Sequence, residues 1–320
     1  MSKTRDIIQE ISDVRDRWRI GNAMAELSLR LFAIEQAFKK HGTSDAELAK
    51  YFPVALIACL EGYFRMAIKD LIDAGDPYLS NAEKPASSVK LDFSLLRAVH
   101  GKAVTVGEIV SHGVPLSSLK HIEAVFSSLL ESDFLNGLRT VSNKWANEVE
   151  GKPDTPVLKK PDVVFADVAR TFELRHIICH EIASAYEINL QEIERCFESC
   201  VAFLRAADEF ISQTLHPNAP LTQTAMNISA GKSLSDKRAE VEDALASLRE
   251  RLGANEIKSL NKSQQLWETY CDAWANFVAG ERKGGGTIWP LLYAGAAEAN
   301  TQSRLEEIKG YEPLGGWDKS

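Results

Sequence analysis

The sequence predicts an all-α protein of two domains, and three observations carry that reading. Apolar positions recur three and four apart along most of the chain, as in Ala23, Leu27, Leu31 and Ile34, which is the period of a helix with one buried face. Strand signals are nearly absent, Ser88 to Phe93 being the best and weakest case. A polar, proline-bearing stretch from His216 to Gly231 interrupts the periodicity and reads as a linker, and 320 residues leave room for about two domains around it. The expected architecture is an up-and-down helical bundle over residues 1–215, a linker over 216–234, a small helical hairpin domain over 235–311 and a tail over 312–320.

Each element follows from local pattern. Residues 4–40 and 45–74 read as long core helices, the second through Leu56, Cys59, Leu60, Tyr63 and Ile68. Shorter helices are expected near 92–112, 117–130 and 134–147, divided by the polar loop Asn81 to Lys90 and by breaks at Gly113, Pro115 and Gly151 to Pro161. A strong pair follows at 162–184 and 187–214, the latter packing through Ile193, Phe197, Cys200, Val201, Leu204 and Ile211. Beyond the linker, helices are expected at 235–252, 255–279 and 288–309, the last two separated by Lys283-Gly284-Gly285-Gly286.

Composition narrows the function classes. A net charge of -8 gives no general affinity for nucleic acid, so any RNA contact needs a local basic pocket. No apolar stretch approaches the roughly 20 residues of a membrane span, and Met1 to Asp6 lacks a signal-peptide core, so a cytoplasmic protein without membrane contact is expected. Five cysteines, an odd number, with Cys59, Cys179, Cys196 and Cys200 inside helical patterns, read as buried thiols.

The richest chemistry sits in Leu174-Arg175-His176-Ile177-Ile178-Cys179-His180-Glu181. Attack of a ribose 2′-hydroxyl on the neighbouring phosphate needs a group that titrates near neutrality and a permanent cation for the phosphorane charge; histidine and arginine supply them. On an ideal helix Arg175 and His180 point about 140° apart, which one helix alone does not easily aim at a single phosphate. An alternative takes His176 and His180, one turn apart, as metal ligands beside Glu181 or Cys179; against it, a zincin has glutamate directly after its first histidine, where this chain has Ile177. Cys196 and Cys200 share their helix with Phe197, Val201 and Leu204 and are read as core. Glu61, among Leu60, Tyr63 and Phe64, is the acid expected to face the motif helix, the alternative being an ordinary solvated glutamate.

With Glu61-Gly62-Tyr63-Phe64-Arg65 on an upstream amphipathic helix, the motif resembles that of HEPN domains, and the likeness covers about residues 1–214. Arg175, His176 and His180 fill the family's arginine, polar and histidine places, though that polar place is commonly asparagine or aspartate. The resemblance implies a metal-independent endoribonuclease with His180 in acid or base catalysis, Arg175 on the phosphorane, and no cofactor or metal. It further implies a homodimer with two motifs face to face, an RNA substrate with tRNA among the candidates, a role as toxin or anti-phage effector, and an antitoxin or trigger protein as a further partner. A non-catalytic HEPN module that dimerises and binds is the alternative.

Residues Gln264, Gln265, Leu266, Trp267, Tyr270, Asp272 and Ala273, then Gly285-Gly286-Thr287, Pro290, Tyr293-Ala294-Gly295, Glu298, Thr301 and Arg304, resemble the LprI-type lysozyme inhibitor domain over about 236–311. The family's cysteines, eight residues after the tryptophan and three after the tyrosine, are here Ala275 and Ala296. The resemblance then implies that these alanines face each other across the hairpin, that Cys271 stays a lone thiol, and that aromatic packing around Trp267 and Tyr293 holds the domain. Sensing, docking and lysozyme inhibition are the roles left open for it, with Trp267, Trp274 and Trp289 as core or anchor residues.

Overall fold

The computed structural model describes residues 7–17, 23–41, 45–87, 89, 104–181, 186–187, 189–280 and 286–312. Among these the fold is all helical. Its only extended pairing is the isolated antiparallel bridge Ser142–Pro156. All of the strand expected at Ser88 to Phe93 but Val89, the first part of the 92–112 helix and most of the glycine turn lie outside the described residues. The chain divides into two compact units, Met1–Pro217 and Asn218–Ser320.

The first unit contains α1 (Ile7–Arg15), α2 (Ala23–His41), α3 (Ala46–Ala49), α4 (Tyr51–Asp73), α5 (Tyr78–Asn81), α6 (Glu83–Ala86), α7 (Val106–Gly113), α8 (Leu119–Leu130), α9 (Phe134–Thr140), α10 (Lys144–Glu148), α11 (Pro161–His180) and α12 (Leu190–Leu215). The expected single helix over 4–40 is thus divided by a turn at Asp16 and Arg17, and that over 134–147 by Val141 to Asn143. Side-chain caps fix several of the starts. Thr105 and Glu108 form a capping box on α7, and Asp133, Asn143 and Asn189 accept from first-turn amides of α9, α10 and α12.

At the centre stands α4, packed by α2, α7, α11 and α12. The helical stretch Glu47–Asp73, most of which α4 forms, is long and apolar enough to cross a membrane by length and composition, contrary to the sequence expectation. Its apolar residues face protein on nearly all sides, with Leu56, Leu60, Phe64, Ile68 and Leu71 fully buried, which is why it carries no narrow amphipathic stripe. Phe64 sits in a nest of rings, its centroid 5.1 Å from Phe126, 5.8 Å from Phe203 and 6.3 Å from Phe134. Cys59, Cys196 and Cys200 are buried as expected, but Cys179 lies exposed on the solvent side of α11 near its end.

The second unit is a three-helix bundle rather than a hairpin: α13 (Gln223–Arg249), α14 (Ala254–Ala279) and α15 (Trp289–Gly310). The linker expected over 216–234 shrinks accordingly to residues 216–222. Thr222 caps α13 through Ala225 N–H, and the helix start was hidden because Ala230 and Leu234 are the apolar residues its first turns give to the core cluster, too few to show a period. Side-chain contacts give the topology. Asn227 meets Thr287 and Ser233 meets Glu298, so α13 and α15 run parallel; Gln264 meets Arg304 and Asp272 meets Tyr293, so α14 runs against α15. The interior is made of small residues at one end, with Ala275, Ala294 and Ala297 around Cys271, and of Val241, Leu245, Leu248, Leu305 and Ile308 at the other.

Candidate functional site

The motif helix α11 starts with Pro161 at its first turn, where a missing N–H costs nothing. It buries Phe165, Val168, Phe172 and Leu174, the stripe that sets its rotation on the bundle. Asp167 breaks that apolar stripe and is buried. Its carboxylate accepts from Arg195 Nε and from Ser199 Oγ, each at 2.8 Å, and so locks α11 to α12. One turn on, Arg170 donates to Glu192 at 2.8 Å and to the Tyr186 hydroxyl at 3.0 Å, tying α11 to the chain that leaves it and to the start of α12. The hydrogen bond that Arg170 donates to Glu192 raises the Arg170 pKa further, leaving a permanent cation in that joint.

On this platform Arg175 is half-buried and His176 and His180 are exposed, His180 being the last helical residue before Glu181 turns extended. The geometry differs from the ideal-helix expectation. Arg175 Nη1 lies 3.4 Å from His180 Nε2, because the long arginine side chain spans the angular gap that the backbone positions leave. A guanidinium only donates, so where this contact is a hydrogen bond Nε2 is its acceptor, facing a fixed positive charge. The His176 ring lies 5.2 Å from that of His180, close enough to wall the same spot. No group of three or more His, Cys, Asp or Glu able to hold a metal forms among the described residues.

Glu61 is half-buried on α4 and makes no hydrogen bond with Arg175 or His180 among the described residues. Asp167 and Arg170 were missed by sequence reasoning, although a charge inside the Phe165–Val168–Phe172 stripe was a readable signal of a buried polar joint.

In the second unit Ala275 is fully buried and Ala296 packs on the same cluster, with the Cys271 thiol reaching the Ala297 carbonyl at 3.7 Å. Of the aromatics expected as core or anchor residues, Trp267 and Tyr293 are partly buried against the alanine cluster. Tyr270, Trp274 and Phe277 lie exposed on α14, Tyr270 stacked on Trp274 with ring centroids 6.4 Å apart and Trp274 tilted against Phe277 at 5.5 Å. No curated protein and no solved structure matches the chain. Residues 217–308, which take in nearly all of the three-helix unit and none of the motif helix, match the family model of the lysozyme inhibitor LprI.

Proposed function

We propose that the first unit is a metal-independent endoribonuclease of HEPN type, with His180 as the proton-transfer residue and Arg175 as the cation that stabilises the phosphorane. The observation that carries this is the 3.4 Å approach of Arg175 Nη1 to His180 Nε2 at the exposed end of a helix anchored by Asp167 and Arg170. A phosphate entering between them replaces the mutual contact: one oxygen takes the guanidinium, the imidazole takes the 2′-hydroxyl proton as the 2′-oxygen bonds to phosphorus, and the P–O5′ bond breaks with the 5′-oxygen leaving as an alcohol on the proton returned by the imidazolium or by water. A second copy related by a twofold axis supplies the opposite wall of the cleft. The setting we propose is cytoplasmic, as a toxin or anti-phage effector.

RNA cleavage by the purified full-length chain should persist in chelator and leave 2′,3′-cyclic phosphate ends. His180→Ala and Arg175→Ala should each lower the rate by about 100-fold or more, and Glu61→Gln tests whether that acid belongs with them. Loss of cleavage in chelator with recovery on adding a divalent ion, or full activity of His180→Ala, overturns the proposal.

The family match favours a second reading for the second unit, that of a protein-binding domain of lysozyme-inhibitor type, with the exposed Tyr270, Trp274 and Phe277 as anchors. Inhibition of lysozyme by the full chain, lost in Trp274→Ala, supports it. Unimpeded lysozyme at micromolar chain removes inhibition from the reading and leaves docking.

A further inference from the structure

A cavity of about 390 Å³ opens in the first unit between α1, α2, α4 and α7, within the range typical of small-molecule sites. Most of its wall is apolar, with Ile11, Val14, Leu27, Ala58 and Met66 among its residues. Charged side chains ring it, and nearly all of them are committed to one another. Arg15 pairs with the buried Glu108, which also takes the Thr105 N–H; His112 Nδ1 lies 3.5 Å from Glu10; Arg65 donates to the Ser111 carbonyl; Lys69 bridges Asp70 and Asp73. Glu26 is likewise engaged.

Arg30 is the exception. Among the described residues its guanidinium has no carboxylate partner and meets only the Cys59 thiol, a weak acceptor that burial keeps protonated. A second feature points the same way. Gly62 lies in the middle of α4 and lines the cavity, yet an added Cβ would meet no atom within 4 Å. No clash within the protein calls for a glycine there, and glycine is a poor helix former. Its effect is to leave the helix backbone bare toward the cavity, where a bound body can approach closely.

We propose that this cavity binds a small amphipathic anion, a carboxylate or phosphate monoester, whose head is held by Arg30 and whose apolar body lies over Gly62 between Leu27 and Met66. The sign of the charge follows from the pairing, since the acids facing the cavity are engaged and, among the described residues, the charge without a carboxylate partner is a cation. Arginine also matches both head groups with two parallel N–H donors. The inference rests on the cavity alone and stands whether or not Arg175 and His180 cleave RNA.

The test is calorimetry on the full-length chain with sodium decanoate, monodecyl phosphate and, as the inverse charge, decyltrimethylammonium. One anion per chain is expected to bind and the cation is not, and which anion binds tighter separates carboxylate from phosphate. Arg30→Met should weaken binding at least about tenfold. Gly62→Leu should abolish it while preserving or raising Tm, because it fills open space and improves the helix. No heat from either anion up to about 1 mM, equal binding of the cation, or affinities untouched by Arg30→Met overturns the proposal. Should Gly62→Leu fold poorly, the Arg30→Met comparison decides it alone.

Discussion

The two units solve the problem of a helical core in opposite ways. The first buries large rings, Phe64, Phe126, Phe134 and Phe203 in one nest, and adds a buried carboxylate clamp, Asp167, between two helices. In the second, helices approach through alanines at one end and through aliphatic side chains at the other, and several aromatic rings stay on the outside. Interlocking large side chains fix helix rotation, which a site needing two side chains within hydrogen-bond reach depends on. A small-residue interface frees aromatic area for contact with something else. Precision in the first unit and adhesiveness in the second are the physical counterparts of the two roles proposed for them.

The sharpest way to break this comparison is to remove a ring. Phe64 is fully buried among aromatic neighbours, so Phe64→Ala should cost about 3 to 5 kcal/mol. Hydrogen exchange resolved by segment should show α4, α8 and α12 opening while α13 to α15 keep their protection. Equal loss of protection in both units would mean that they do not fold as separate cooperative bodies. Next in size is the clamp. Asp167→Ala strands the buried Ser199 hydroxyl and releases Arg195, a cost of about 1 to 3 kcal/mol. If α11 is held in register by this joint, RNA cleavage should fall by more than the stability loss explains at temperatures where the chain remains folded. Full activity in that variant would assign Asp167 to stability alone.

Trp267 tests the other side. A tryptophan in a closed core costs as much as Phe64 to truncate, but here it flanks an alanine cluster and is only partly buried. Trp267→Ala should therefore cost about 1 to 2 kcal/mol, and Phe277→Ala, three-quarters exposed, no more than about 0.5 kcal/mol. Urea denaturation followed by far-ultraviolet circular dichroism checks both. A Trp267 cost equal to that of Phe64 would show the second core to be aromatic after all.

The same contrast explains what was legible beforehand. Helix existence and type were readable wherever large apolar residues recur, as at Ile193, Phe203, Leu204 and Ile211 on α12, because burial of large groups imprints the helical period on sequence. The first turns of α13 were not, since Ala230 and Leu234 are the apolar residues they give to the core cluster, while Asn227 and Ser233 meet Thr287 and Glu298 as polar side chains that read as loop. Arg175 and His180 were identified as a pair, but their approach depends on side-chain length, which backbone angles do not report. The cavity at Arg30 was invisible because it is assembled from four helices far apart in sequence.

Another small expected effect uses a motif that both units share, a tyrosine hydroxyl donating to an aspartate. Tyr63 reaches Asp208 at 3.0 Å in a half-buried setting, and Tyr293 reaches Asp272 at 2.6 Å on the surface. Burial pushes the Asp208 carboxyl above its ordinary value, and the Tyr63 hydrogen bond only partly offsets it. A folded carboxyl that holds its proton more tightly than the unfolded chain contributes stability below the unfolded value of about 3.9, and this contribution is lost as pH rises through the higher folded value. At neutral pH the ionised Asp208 is thus a small cost to the first unit. Asp208→Asn keeps an acceptor for Tyr63 and should raise stability at pH 7 by less than about 1 kcal/mol, with the gain shrinking as pH falls through the acid range. In the second unit Asp272→Asn should change stability little, because an exposed pair is screened by water and salt. Denaturant midpoints for both variants at pH 7 and near pH 4 decide it: a gain for Asp208→Asn that persists at acid pH, or one matched by Asp272→Asn, would show that burial of the first pair does not set it apart from the second.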